Sequence, residues 1–418
     1  MSVLKIATYS LDTRWFTAVM ATIMIASLTQ WYGYEVIVPY FFFASLAILF
    51  SVVIFKAAQT VLFFKDVLEE ILNPEKTLYL FTIVGAVSFL GICFSRMFHF
   101  HTTAQIFWYV SIGLWLIISL STFSILFLNQ KSEDRRIKDV LHGGWFFATV
   151  GTQSTALLGI IVAEQTIKQV LFIQVFSIAL WSVGASLYLI FMALLILRLM
   201  FYQFDSNTLL SPYWMNIGAA AVTAITGAVL HQHIQTVGGT LTDLLPFLKG
   251  VSLFFWSFGL WWVPFLIILA VRKLICSGEG LAFTVGYWEI AFALGLYADS
   301  TIHMVALFEG RYLVVISTAF AIACITIWFF SSIFTIFYLA KSSVLVPVNK
   351  LTLDYVTPYS FKLHGSLFQV KEVISEWLDQ TIQGVTKKRY CITTDTNLTC
   401  LISYDLLTKK WYFDQVKE

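Results

Sequence analysis

The sequence predicts an all-α integral membrane protein of ten transmembrane helices paired as five helical hairpins. A small β-rich module follows at the C-terminal end. Three observations lead there. Hydrophobic residues make up 59% of the chain and charged residues only 12%, against about 25% charged in soluble domains. Ten apolar segments are long enough for a bilayer, which needs about 20 residues each. After Lys341 the pattern turns polar and begins to alternate.

The segments run roughly over Arg14–Trp31, Val38–Ala57, Thr77–Met97, Ala104–Leu128, His142–Ala163, Val170–Met200, Pro212–Leu230, Leu244–Val271, Leu281–Val305 and Tyr312–Leu339. The odd ones start near residues 14, 77, 142, 212 and 281, at nearly equal intervals, which suggests a repeated hairpin. The repeat is one of spacing, because the hairpins share no convincing identity. No small-residue cleavage site precedes the first apolar run, so the first span is expected to serve as its own insertion signal.

Odd and even segments differ in kind. The even ones are mostly heavy in aromatics, as in YFFFASLAILF at 40–50 and WFFSSIFTIFY at 328–338. The odd ones favour small and hydroxyl residues, as in TVGTQSTALLG at 149–159 and NIGAAAVTAITGA at 216–228. Phe and Trp suit lipid and its interface, while small residues allow close approach and hydroxyls tolerate water. A ring of odd helices inside a ring of even helices fits this split. Plain helix-on-helix packing of the small residues fits it equally. With almost no Pro in the odd spans, any kink there is expected at Gly.

Basic residues concentrate on one side. Lys5, Arg14, Lys56, Lys65, Lys76, Lys131, Arg135, Arg136, Lys138, Arg198, Arg272 and Lys273 fall there, against Arg96, Lys168 and Arg311 on the other. The positive-inside rule then predicts a multi-pass protein of the cell membrane with both termini cytoplasmic.

The expected division is a membrane domain at 1–345 and a cytosolic β-rich module at 346–418. In the module, Phe361–Val370 reads as a strand and Lys371–Ile382 as a short amphipathic helix. Arg389–Thr394, Thr399–Tyr404 and Lys410–Phe413 read as further strands, with a turn at Asp395–Leu398. No chemistry attaches to it, and regulation of the membrane domain is an open role.

A net charge of +2 gives no reason to expect nucleic acid or a polybasic lipid anchor. Five scattered cysteines with no CxxC suggest neither a disulfide framework nor zinc, and no cofactor is expected. The unusual stretch is Phe283–His303. On a helix, Glu289, Phe292, Leu296, Asp299 and His303 form one stripe. Ionisable groups in a membrane helix usually face a bundle interior or a watery path. Solvation of Glu289 and Asp299 at helix ends is the competing explanation. Asn216, Thr149, Thr152 and Gln153 could offer donors to a passing solute or bond helix to helix. Arg96, Arg311 and Lys168 could draw anions to an outer mouth or simply be solvated. His99-Phe-His101 and His231-Gln-His233 are expected in outer loops, with a metal role remote.

Several stretches together carry a resemblance. They are RWFTAVMATIM at 14–24, HGGWFFATVGTQSTALLG at 142–159, SPYWMNIGAAAV at 211–222, FWSFGLWWVP at 255–264 and YWEIAFALGLY at 287–297. In that order and within a ten-helix frame, they resemble the tellurite-resistance/dicarboxylate transporter family, in its bacterial form. That family also holds plant guard-cell slow anion channels, malate permeases and sulfite exporters. The resemblance implies five hairpins with the odd helices around a central pore, usually as a homotrimer in the lipid bilayer. It implies movement of small anions, passive or proton-coupled. In the channels a Phe four residues after a Trp plugs the pore, and Trp288 and Phe292 stand at that spacing. The chain departs from the family where Ala293 replaces a frequent Pro and where Met20-Ala-Thr-Ile replaces MGTG.

The expected function is therefore transport without enzymatic chemistry. The substrate is a small anion (a dicarboxylate such as malate, sulfite, tellurite or an inorganic anion) passing a gate at Phe292. Trp288, Asn216, Thr149, Gln153, Glu289 and Asp299 are the pore-lining or proton-coupling candidates. One alternative is a proton-coupled dicarboxylate carrier using Glu289 or Asp299. A membrane oxidoreductase is a remote one, since no histidine pair falls mid-bilayer.

Overall fold

In lipid a spanning segment must satisfy its backbone internally, so apolar runs of this length become helices. The computed structural model describes residues 12–128, 141–165, 170–201, 211–276, 284–344, 360–363, 366–380, 386–394, 399–405 and 410–417. Lys5, Lys131, Arg135, Arg136, Lys138, Lys168 and the turn at 395–398 lie outside these residues. The helices are α1 (Phe16–Trp31), α2 (Val38–Leu62), α3 (Phe64–Leu72), α4 (Phe81–Arg96), α5 (His101–Leu128) and α6 (Phe146–Ala163). Then come α7 (Val170–Phe201), α8 (Ser211–Val237), α9 (Leu245–Cys276), α10 (Gly286–Phe308) and α11 (Leu313–Val344). Among the described residues, nine helices are long and apolar enough to cross a membrane. Helix α1 is not among the nine: it has 16 residues and is preceded by a 3-10 turn at Thr13–Trp15. Helix α3 has no counterpart in the sequence-based expectation. It is short and amphipathic, and its Glu70 accepts from Thr13 Oγ1 and Lys56 Nζ, both at 3.0 Å.

Burial sorts the helices into two sets. In their most apolar stretches, 72%, 100%, 94% and 72% of the residues of α4, α6, α8 and α10 are buried. For α2, α5, α7, α9 and α11 the share is 17–39%. Twelve residues of α1 are buried, so it joins the inner set. Inner helices contact one another in the order α1, α4, α6, α8, α10, and α10 returns to α1. That is a closed ring. Each outer helix packs on its own inner partner.

Hydrogen bonds stitch four of the five outer helices onward to the next inner one. Indole Nε1 of Trp115 (α5) donates to Thr152 Oγ1 (α6) at 2.8 Å, and that of Trp256 (α9) to Thr301 Oγ1 (α10) at 3.0 Å. Trp328 (α11) donates to Thr22 Oγ1 (α1) at 3.0 Å, and Trp181 (α7) to the Thr223 carbonyl (α8) at 2.9 Å. Thr22, Thr152 and Thr301 donate their own protons to the carbonyl one turn back, each at 2.8 Å. Each hydroxyl is thus satisfied as donor and acceptor within apolar surroundings, where an unmade bond costs most. Helix α2 has no Trp, and there Phe42 packs edge-on against Phe94 of α4 at 5.1 Å. So the repeat is one of bonding as well as spacing.

The glycines serve this packing. A Cβ on Gly159 would lie 2.4 Å from Ser177 Oγ and 2.9 Å from Trp108 Nε1. A Cβ on Gly218 would lie 3.2 Å from Ala293 Cα, where α8 and α10 meet. Small residues let these helices approach, as at membrane helix interfaces generally.

A second compact unit contains residues 346–418. Its strands β1 (Ser360–Leu363), β2 (Ser366–Gln380), β3 (Thr386–Thr394), β4 (Thr399–Asp405) and β5 (Lys410–Lys417) pair antiparallel in sequence order. Two expectations are corrected. Phe361–Val370 is not one strand, because Leu363 pairs back onto Ser366 in a hairpin. Lys371–Ile382 is not a helix, since β2 runs through to Gln380. The register of β2 shifts between Val370 and Glu372 and again between Val373 and Ser375. Such bulges interrupt the two-residue alternation, so the apolar spacing reads as helical in sequence alone.

Candidate functional site: a column through the inner ring

All five inner helices start at the same end, and each brings one polar residue there. Arg14 precedes α1, Tyr79 precedes α4, His142 precedes α6, Ser211 opens α8, and Glu289 lies in the first turn of α10. Arg14 Nη1 lies 3.9 Å from Glu289 Oε1. The Arg14 guanidinium sits over the Tyr79 ring at 5.4 Å. Tyr79 stacks on His142 with ring centres 5.4 Å apart. His142 Nδ1 accepts from Gly144 N–H at 3.0 Å, which leaves Nε2 as donor to the Glu75 carbonyl at 2.7 Å. A Cβ on Gly286 would collide with Ser211 Oγ, so α8 and α10 touch there.

Asp12 holds Arg14 from the other side. Its Oδ2 is 2.6 Å from Arg14 Nη2 and accepts from Nε at 2.8 Å. Burial alone would raise the Asp12 carboxyl. The charge and hydrogen bonds of Arg14 outweigh it and hold the group below its ordinary range.

Glu289 is fully buried, and neither carboxylate oxygen has a partner at hydrogen-bond geometry. Its polar neighbours are Arg14 and Ser211. It stands at a helix end yet out of solvent, so headgroup water does not account for it.

One turn along α10, Phe292 is fully buried and meets Phe89 of α4 edge-on, with ring centres 5.5 Å apart. In the ring, α10 and α4 are not neighbours, since α1 stands between them. The contact therefore reaches across the interior. Farther on, half-buried Asp299 faces Cys93 and Arg96 of α4, and His303 also feels Arg96. Arg96 Nη2 lies 3.7 Å from Glu164 Oε1, just past α6. The stripe on α10 thus meets a matching stripe on α4 formed by Phe89, Cys93 and Arg96. Asp299 lies about 15 Å along the axis from Glu289, at 1.5 Å per residue.

Other sequence-derived candidates point elsewhere. Gln153 donates to the Trp181 carbonyl of α7 at 3.0 Å and lies against Gly184. Asn216 Oδ1 accepts from Tyr188 of α7 at 2.7 Å, while its Nδ2 is buried without a hydrogen bond. Both reach outward and tie helices together. Trp288 packs edge-on against Trp328 of α11 at 6.4 Å. Thr149 is buried, and its hydroxyl has no hydrogen-bond partner. His231 and His233 lie in the last turns of α8 rather than in a loop. The rings of His99 and His101 are 6.1 Å apart. Among the described residues, no three His, Cys, Asp or Glu side chains gather as a metal would need.

Asp12, Tyr79, His142, Ser211 and Phe89 were not singled out in sequence. A signal for four of the five collar residues was present, since Arg14, Tyr79, His142 and Ser211 fall at or near the starts of regularly spaced segments.

Residues 10–336 match the family of voltage-dependent anion channels. The chain belongs to that family. It is also similar to an uncharacterized transporter of Methanocaldococcus jannaschii, 26% identical over 309 residues that span 70% of this chain and 84% of that protein. A second uncharacterized transporter of the same organism is 25% identical over 307 residues, covering 70% and 82%. An uncharacterized membrane protein of Mycobacterium tuberculosis is 31% identical over 111 residues, or 27% of this chain and 55% of that protein. Family membership and the apolar helices make this a multi-pass membrane anion channel or transporter.

Proposed function

We propose that the protein conducts small anions along the axis of the inner ring, with Phe292 as the gate. The observation that carries this reading is the Phe292–Phe89 contact across the ring interior. An aromatic pair there makes a narrow, dry constriction, and such constrictions stop ions by dewetting. Inorganic anions, sulfite, tellurite and dicarboxylates such as malate are the substrate class. The test is anion flux through reconstituted protein. Phe292→Ala should raise conductance about tenfold or more, as expected when a hydrophobic constriction is removed. Unchanged conductance would remove Phe292 as the gate.

The buried carboxylate of Glu289 favours a second reading, a proton-coupled carrier using Glu289 or Asp299. The double variant Glu289→Gln, Asp299→Asn separates the two. A channel keeps its current, whereas a carrier loses its dependence on a pH gradient.

Topologically, α1 makes the tenth crossing, and the Arg14 end of the ring faces the cytoplasm. The Lys/Arg bias of the loops supports this orientation. Because the ring closes within one chain, a homotrimer would hold three separate pathways.

A further inference from the structure

Helix starts present unpaired N–H groups and a partial positive charge, and they favour anions. Here five such starts open at one end, and Arg14 adds a full charge. An acidic side chain already sits among them. It is the carboxylate of Glu289, fully buried and unpartnered at hydrogen-bond geometry. Its seat is loose, at 3.9 Å from Arg14. A structural brace between arginine and carboxylate closes to about 2.7–2.9 Å, often through two parallel bonds. Asp12 makes that closer contact with Arg14, at 2.6 and 2.8 Å. Glu289 is therefore the second, more distant carboxyl group beside the same cation. Tyr79 and Ser211 are its other polar surroundings.

We infer that this collar is an anion-binding subsite whose resident occupant is the Glu289 carboxylate, and that a permeating carboxylate-sized monoanion competes with it for Arg14 and the helix starts. The inference rests on the reading of the ring axis as an anion pathway. It resolves an apparent conflict in the sequence, a carboxylate on the gating face of an anion protein. The carboxylate occupies the place of the substrate, and permeation requires its displacement. Its position one turn before Phe292 puts this competition at the threshold of the constriction.

The experiment measures the half-saturating concentrations of chloride and formate for flux through the reconstituted full-length protein, with each anion varied on one side at a time. Glu289→Gln should lower half-saturation about fivefold or more on one side and leave the other unchanged, because a like charge a few ångströms away has been removed. In an Arg14→Gln background, the same substitution should change nothing. Equal effects on both sides, equal effects with and without Arg14, or no effect would each overturn the inference. If Arg14→Gln does not fold, sidedness alone decides. If the wild type carries neither anion, the conduction reading fails for both probes. Formate binding to the purified protein, followed by the fluorescence of neighbouring Trp288, then tests the collar by itself. Tighter binding by Glu289→Gln supports the subsite, and equal binding overturns it.

Discussion

The two ends of the inner ring carry the same three charges in different surroundings. At one end Arg14 is flanked by Asp12 and by Glu289 of α10. At the other, Arg96 is flanked by Glu164 and by Asp299 of α10. The Arg14 side chain is 16% exposed and that of Arg96 41%, and Glu289 is fully buried where Asp299 is half-buried, while Asp12 and Glu164 are alike at 32% and 33%. Charges in a dry site act strongly over short range, and wet ones are screened. The same grouping should therefore select anions at the Arg14 end and only attract them at the Arg96 end.

The largest expected contrast is between two neutralisations on α10. Glu289→Gln should shift half-saturation about fivefold or more, and Asp299→Asn by about twofold or less, because half-buried Asp299 is better screened than fully buried Glu289. Equal shifts in a concentration series would abolish the distinction. A smaller contrast is expected in salt. Arg96→Gln should slow flux at about 0.05 M ionic strength and lose that effect near 1 M, where the Debye length is about 3 Å. Arg14→Gln should slow flux at both.

The smallest contrast is in acid. Burial raises the Glu164 carboxyl, with Arg96 opposing it, while Arg14 holds Asp12 below its ordinary value. As pH falls, Glu164 should gain its proton above the usual Glu pKa of about 4.3, and Asp12 only below the usual Asp pKa of about 3.9. Asp12 thus adds stability above its unfolded pKa that is lost as pH falls through its folded one. Asp12→Asn should flatten that acid limb of the unfolding curve. Carboxyl titration by NMR checks the order, and the reverse order would contradict the packing at both ends.

Much of this was legible before the fold. The contrast between odd and even segments foretold the inner and outer helices, because residue size and lipid preference are local properties. The α10 stripe was legible for the same reason, since helical spacing alone aligns Glu289, Phe292 and Asp299. What answers that stripe was not legible. Phe89 and Arg14 lie far from Phe292 and Glu289 in sequence, and only ring closure brings them together. Gln153 and Asn216 were ambiguous because a buried amide serves a pathway or a neighbouring helix equally well in sequence. Their bonds to α7 are set by Trp181 and Tyr188. The bulged β2 strand failed for a different reason, since its irregular register mimics helical spacing.

The tryptophan stitches have a consequence for biosynthesis. The bond from Trp328 to Thr22 joins residues 306 positions apart and ties the final helix to the first. A nascent chain emerges from the ribosome with Thr22 among its earliest residues, and the indole that caps this hydroxyl is translated only midway through the last helix, α11. Until then the first hairpin waits in the lipid with an open flank. A premature stop upstream of codon 328 would leave that flank open for good and expose the polar seam to the machinery that culls incomplete membrane proteins.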